Sequence, residues 1–195
     1  MRRLYLVILI ILTVKNIAFS QYLEKKVKPQ CRYNYFQITV GGGFTRPVLE
    51  MSNHYNPSAV MGAELAYRVN PEVAVFFEEK YNLMSLIDTA GPSTSFLETS
   101  IGTRFYWTSK YVRSTFYIEF AIGPNIKFQG SYVNTANNNV ESLTDFKLGA
   151  NAGFGAELVF TDNIYFTVKA KYHSIFGVGG IITYVDGFAG MTFRL

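Results

Sequence analysis

Phe146–Phe160, FKLGANAGFGAELVF, reads with a period of two. Phe146, Leu148, Ala150, Ala152, Phe154, Ala156, Leu158 and Phe160 share one parity, and Lys147, Gly149, Asn151, Gly153, Gly155 and Glu157 share the other. Successive side chains of a strand point to opposite faces, so this is an apolar face backed by a polar one. Strands of soluble proteins run about 5–6 residues, whereas this alternation lasts fifteen. The stretch predicts a wall between two different environments.

The same pattern recurs on both sides of it. Phe36, Ile38 and Val40 alternate with Tyr35, Gln37 and Thr39, and the Gly41-Gly42-Gly43 run follows. That run lacks the Lys-Ser/Thr of a phosphate cradle, so it is read as glycines at a strand end that permit tight curvature. Between Ser58 and Val69, Glu64 and Arg68 oppose Met61, Leu65 and Tyr67. After an Asn70-Pro71 turn, Glu78 and Lys80 oppose Val73, Val75 and Phe77. Glu79 breaks that parity and is expected at the rim or in a bulge. Glu98 and Arg104 oppose Leu97, Ile101, Phe105 and Trp107, and Glu119 opposes Phe116, Ile118, Phe120 and Ile122. Lys169, Lys171 and His173 oppose Phe166, Val168 and Tyr172 in the seventh segment, and the eighth ends GFAGMTFRL. The spacing predicts eight strands joined by alternating long and short connections, with long loops at 44–57, 82–94, 129–144 and 175–183. An all-β, eight-stranded antiparallel up-and-down transmembrane β-barrel satisfies it, because a membrane-spanning sheet must close on itself.

Residues 1–20 have the form of a cleaved export signal: Arg2 and Arg3, a largely apolar run from Leu4 to Val14, and small residues before Gln21. The run is shorter than the roughly 20 apolar residues of a spanning helix. Residues 21–32 then read as a charged periplasmic lead-in and 33–195 as the barrel domain. Without Arg2, Arg3 and Lys15 the net charge falls from +4 to +1. The chain's basicity therefore gives no case for nucleic-acid binding. Cys31 is the only cysteine, which excludes an internal disulfide framework.

The inward parity gathers Glu64, Arg68, Glu78, Lys80, Glu98, Arg104, Glu119, Lys147, Glu157, Lys169, Lys171 and Arg194, read as a structural charge network in the lumen. Glu64 and Glu78 fall opposite each other across the Asn70-Pro71 hairpin, so a cation has to reach between them. Arg104 and Lys169 are the candidates. An eight-stranded barrel is just wide enough to be filled by side chains, which favours a plug over an ion path. Catalytic chemistry finds no constellation: His173 and Ser174 point to opposite faces, and His54, Asp88, Ser93 and Ser95 sit in or beside loops. Two distant histidines offer no metal cluster and no cofactor motif is present. Tyr33, Tyr67, Phe105, Trp107, Phe116, Phe160, Tyr165 and Phe193 lie near the short turns, as an interfacial aromatic girdle would.

In strand count, loop alternation and last strand the chain resembles the small OmpA/OmpX-like outer-membrane barrels, and the PorT-like barrels of Bacteroidetes-type bacteria. In such proteins the last strand carries a signal for the barrel-assembly machinery, and Gly190, Phe193 and Leu195 match its spacing. Leu195 replaces the usual terminal Phe, and Phe188 the usual polar residue. The resemblance implies a bacterial outer-membrane location, contact with outer-membrane lipid and assembly by the barrel-insertion pathway; the signal segment predicts Sec export, and the leading reading is a structural, adhesive or loop-mediated binding role. Two alternatives stand beside it: a secreted or periplasmic lipocalin-like carrier, with apolar residues inside, and a lipid-modifying barrel enzyme.

Overall fold

The computed structural model describes residues 34–53, 55–84, 94–107, 114–134, 139–177 and 180–195. The signal segment, the lead-in with Cys31, Tyr33, His54, Asp88 and Ser93 lie outside them. Eight strands follow in order: β1 Tyr35–Pro47, β2 Ser58–Arg68, β3 Val73–Met84, β4 Thr94–Trp107, β5 Thr115–Asn134, β6 Asn139–Val159, β7 Ile164–Gly177 and β8 Gly180–Arg194. Each pairs antiparallel with its neighbours in sequence, and β8 returns to pair with β1, so the sheet closes in the order of the chain.

One circuit of the pairings measures the stagger. From Gln37 it passes through Ala66, Phe76, Gly102, Ala121, Asn151, His173 and Tyr184, and returns to β1 at Pro47, ten residues above its start. With about 3.3 Å per residue and about 4.8 Å between strands, that stagger tilts the strands by about 40°. Long alternating segments are the consequence, since a tilted strand needs more residues to cross the same height.

The short turns and both ends of the barrel chain lie together. The Asn34 N–H donates to the Arg68 carbonyl at 2.7 Å and the Leu195 N–H to the Phe36 carbonyl at 2.9 Å. The Asn70 side-chain oxygen accepts from the N–H groups of Glu72 and Val73, both at 2.8 Å, and so shapes the β2–β3 turn. Thr161 plays the same part for β6–β7, its hydroxyl accepting from the Ile164 N–H at 3.1 Å.

Several boundaries differ from the expectation. Gly41–Gly43 stand in the middle of β1, paired on both sides, rather than at a strand end. A Cβ on Gly43 would lie 1.8 Å from the Gly187 carbonyl oxygen, so the β1–β8 seam closes only with glycine there. Residues 44–47 continue β1, and Leu49–Asn53 form a 3-10 helix, η1. β3 runs on to Met84, with Glu79 in unbroken register between Ala63 and Thr99, neither rim nor bulge. The stretches 129–144 and 175–183 are mostly strand: β5 and β6 stay paired to Asn134 and Asn139, with a register shift between Gln129 and Tyr132, and β7 and β8 pair to Gly177 and Gly180. Neither stretch carries a sustained apolar alternation in its sequence, so hydrophobic period does not mark it as strand.

The faces are the reverse of a ligand-binding calyx. Phe154 is 67% exposed and Trp107 64%, and Phe44, Ile101, Phe116, Ile122 and Leu148 stand on the same outer surface. Charged side chains fill the inside. That placement removes the lipocalin-like carrier, whose lining would be apolar. Tyr165, expected in the girdle, is buried in the lumen.

Candidate functional site

The interior is a stack of side chains at three levels. At the short-turn end, Arg68 on β2 lays its guanidinium 3.4 Å over the Tyr106 ring and donates to the Pro71 carbonyl at 2.5 Å. The Tyr106 hydroxyl donates to Glu157 at 2.8 Å. Room for this level comes from β6: a Cβ on Gly155 would lie 2.5 Å from the Tyr117 hydroxyl oxygen. Arg194, on the inward parity of β8, sits apart from the carboxylates, stacked 4.0 Å over Tyr35.

The middle level is a closed ring of alternating charge. Arg104 contacts Glu64 at 2.7 Å and Glu119 at 2.6 Å. Lys169 contacts Glu64 at 2.6 Å and also Glu78. Lys171 contacts Glu78 at 2.7 Å and Glu119 at 2.8 Å, which completes the circuit. Glu64 and Glu78 are register partners on adjacent strands, where like charges destabilise unless a cation lies between them. Lys169 is that cation, whereas Arg104 touches Glu64 and turns to Glu119 on its neighbouring strand.

Lys80 joins this ring to the upper level, 3.6 Å from Glu78 and 2.5 Å from Asp186. His173 stands between two carboxylates, its Nε2 3.0 Å from Asp186 and its Nδ1 3.1 Å from Glu98. Carboxylates only accept, so both ring nitrogens donate and the ring is held as imidazolium. Tyr184 stacks on it at 4.4 Å and 7°, and its hydroxyl donates to Glu98 at 2.7 Å. Asn151 supplies a further donor to Glu98 at 2.9 Å.

The charges balance. The buried acids are Glu64, Glu78, Glu98, Glu119, Glu157 and Asp186, and the buried bases are Arg68, Lys80, Arg104, Lys169, Lys171 and His173. With His173 as the imidazolium, the six acids of this buried set match its six bases. Buried ions hold their charge only when paired and hydrogen-bonded, and here both conditions are met.

Sequence reasoning missed Asp186, although counting back in twos from Arg194 reaches it. It considered His173 only as a base for catalysis, on the inward parity. Lys147 lies above the stack, paired with Asp145 at 3.3 Å. Of the last-strand residues, Gly190 pairs with Gly41 and Thr167, while Phe193 and Leu195 are exposed on the outside.

Over the long-loop end, Met51 of η1 packs into an apolar cluster with Met84, Phe96, Ile175 and Tyr184. The Val48 N–H donates to the Thr183 carbonyl and the Thr183 hydroxyl to the Val48 carbonyl, both at 3.1 Å, which fixes this segment across the mouth. A groove of about 710 Å³ lies elsewhere, on the outer wall of β4–β7, lined mostly by apolar side chains such as Ile101, Phe120, Ile122 and Phe176. No ionisable acid, lysine, arginine or histidine lines it. Among the described residues, no cluster of three or more His, Cys, Asp or Glu is placed to hold a metal, and no helix is long and apolar enough to cross a membrane.

No family model matches the chain, and no curated protein matches it in sequence. Solved structures do match in shape. Neisserial surface protein A superposes with a TM-score of 0.67 at 9% identity, covering 82% of this chain and 97% of that one. The attachment invasion locus protein Ail of Yersinia pestis gives 0.56 at 12% identity, over 84% of this chain and 100% of that one. The N-terminal β-barrel domain of Pseudomonas aeruginosa OprF gives 0.54 at 15% identity, over 84% and 98%. At such identities the likeness is one of fold: this chain has the architecture of the small eight-stranded, OmpA/OmpX-like outer-membrane barrels.

Proposed function

We propose that the chain is an integral outer-membrane β-barrel whose lumen is a structural plug and whose role, structural, adhesive or binding, is exercised at its extracellular end. The observation that carries this reading is the inversion of faces: an outer surface of Phe, Leu, Ile and Trp around a charge-balanced interior. Water cannot solvate that exterior at acceptable cost, and hydrocarbon can. The closed ring of Arg104, Lys169 and Lys171 with Glu64, Glu78 and Glu119 supports a plug rather than a conduit. Every carboxylate in it is held by cations, which also argues against enzymatic use. Export follows the Sec pathway, and Gly190, Phe193 and Leu195 present the last strand to the barrel-assembly machinery.

The fold of a surface protein and of an attachment protein is consistent with an extracellular partner. That partner meets the segments 44–57, 82–94, 129–144 and 175–183. Within them, the β5–β6 ribbon is the most prominent element, since its strands extend to Asn134 and Asn139.

Fractionation of cells, followed by gel electrophoresis of unheated and heated samples, tests the location. The protein is expected in the outer-membrane fraction, with a different mobility before and after heating. Recovery in the soluble fraction without detergent would overturn the reading. A pull-down from intact cells, with 129–144 exchanged for a short turn as the comparison, tests the partner site.

A further inference from the structure

Glu79 stands on the wrong side of the wall. It is the seventh of twelve residues in β3, exposed on the outer face between Phe77 and Tyr81. At about 3.3 Å per residue and a tilt of about 40°, β3 covers about 30 Å of height, which puts Glu79 near mid-bilayer if the barrel is embedded. Its register partners are Ala63 on β2 and Thr99 on β4. Neither the Glu79 carboxyl nor the Thr99 hydroxyl has a hydrogen-bond partner among the described residues. A carboxyl group in hydrocarbon is costly, and such groups mark sites of interaction.

We propose that the outer face of β3–β4 is a lateral interface with a second copy of this chain, in which each Glu79 accepts a hydrogen bond from the partner copy's threonine at position 99. This rests on the membrane reading given above. A two-fold axis along the membrane normal and between β3 and β4 sets β3 of one copy against β4 of the other. Glu79 and Thr99 are register partners on those two strands, about 3 Å apart in height at a tilt of about 40°, within the reach of a glutamate side chain, so the operation can satisfy both groups twice. An acceptor beside a donor on adjacent strands is self-complementary, which selects a second copy over an unrelated partner. The rest of the face fits close approach: Ala63 is small, and exposed Phe77, Tyr81 and Ile101 frame the polar pair with apolar contact.

The test is cysteine cross-linking of the full chain in phosphatidylcholine–phosphatidylglycerol vesicles. Cys31→Ser removes the native thiol. Phe77→Cys then places one on the proposed face and Val168→Cys one on the opposite wall, and a short bismaleimide is added. Phe77→Cys is expected to give covalent dimer and Val168→Cys little. Combining Phe77→Cys with Glu79→Leu or Thr99→Val removes both intermolecular hydrogen bonds, and dimer yield falls roughly tenfold. Glu79→Gln, which retains an accepting oxygen, keeps it. Equal yields from the two walls, or a yield indifferent to Glu79→Leu, would overturn the proposal. Flotation of the same vesicles reads insertion separately: protein that does not float removes the membrane reading and the dimer together, whereas floating protein without cross-link removes the dimer alone.

Discussion

Glu78 and Glu79 are the same residue type, adjacent in β3, and they live in different solvents. Glu78 is buried among Lys80, Lys169 and Lys171. Glu79 faces outward with no cation among the described residues. The lumen holds its fully buried acids and bases by a geometry in which each has an opposite partner, and Arg194 nearer the short-turn end rests on Tyr35, while the outer wall has no such provision. Strand period alone makes the difference, since one residue of displacement exchanges the two faces.

The comparison breaks most visibly at Arg104. Arg104→Ala opens the ring, leaving Glu64 and Glu119 without their shared guanidinium, and is expected to lower unfolding free energy by about 3–5 kcal/mol. Urea unfolding in detergent micelles measures it, and no loop substitution should match it. Adding Glu119→Gln should recover part of the loss, because an unpaired buried charge costs more than an absent pair.

Next comes the pair itself. Glu78→Gln strands three lysines against a neutral amide and should cost about 3 kcal/mol. Glu79→Gln in monomeric, detergent-dispersed protein should shift stability by no more than about 0.5 kcal/mol. Equal effects would mean that the two carboxyls do not differ as described. A smaller effect is expected at His173. His173→Gln can serve one of the two carboxylates but carries no charge, leaving the buried set one positive charge short, and should cost about 2 kcal/mol by the same measurement.

Much of this was legible in sequence because a period of two is a local signal. The parity of Phe146–Phe160 sorts Asn151 and Glu157 from Phe154 before any pairing is known, and the Asn70-Pro71 turn sets Glu64 beside Glu78. Contacts across the lumen are another matter. That Lys171 closes the ring onto Glu119, or that Lys80 meets Asp186 rather than Glu98, depends on a stagger of ten residues that emerges only when all eight strands pair. Strand ends were hidden for a different reason. Residues 129–134 and 139–144 belong to β5 and β6, yet their sequence carries no sustained apolar alternation to mark them as strand. A spanning strand of about 9–11 residues puts Glu79 near the rim, whereas β3 continues in register to Met84.

The central claim, that the apolar exterior faces lipid, can be read from one native probe. Trp107 is the only tryptophan and stands 64% exposed on the outer face at the short-turn end of β4. In vesicles of brominated phospholipid, its emission should be blue-shifted, strongly quenched by bromines placed near the headgroups, and poorly quenched by iodide in the water. Quenching by iodide, with no response to brominated lipid at any depth, would contradict the account.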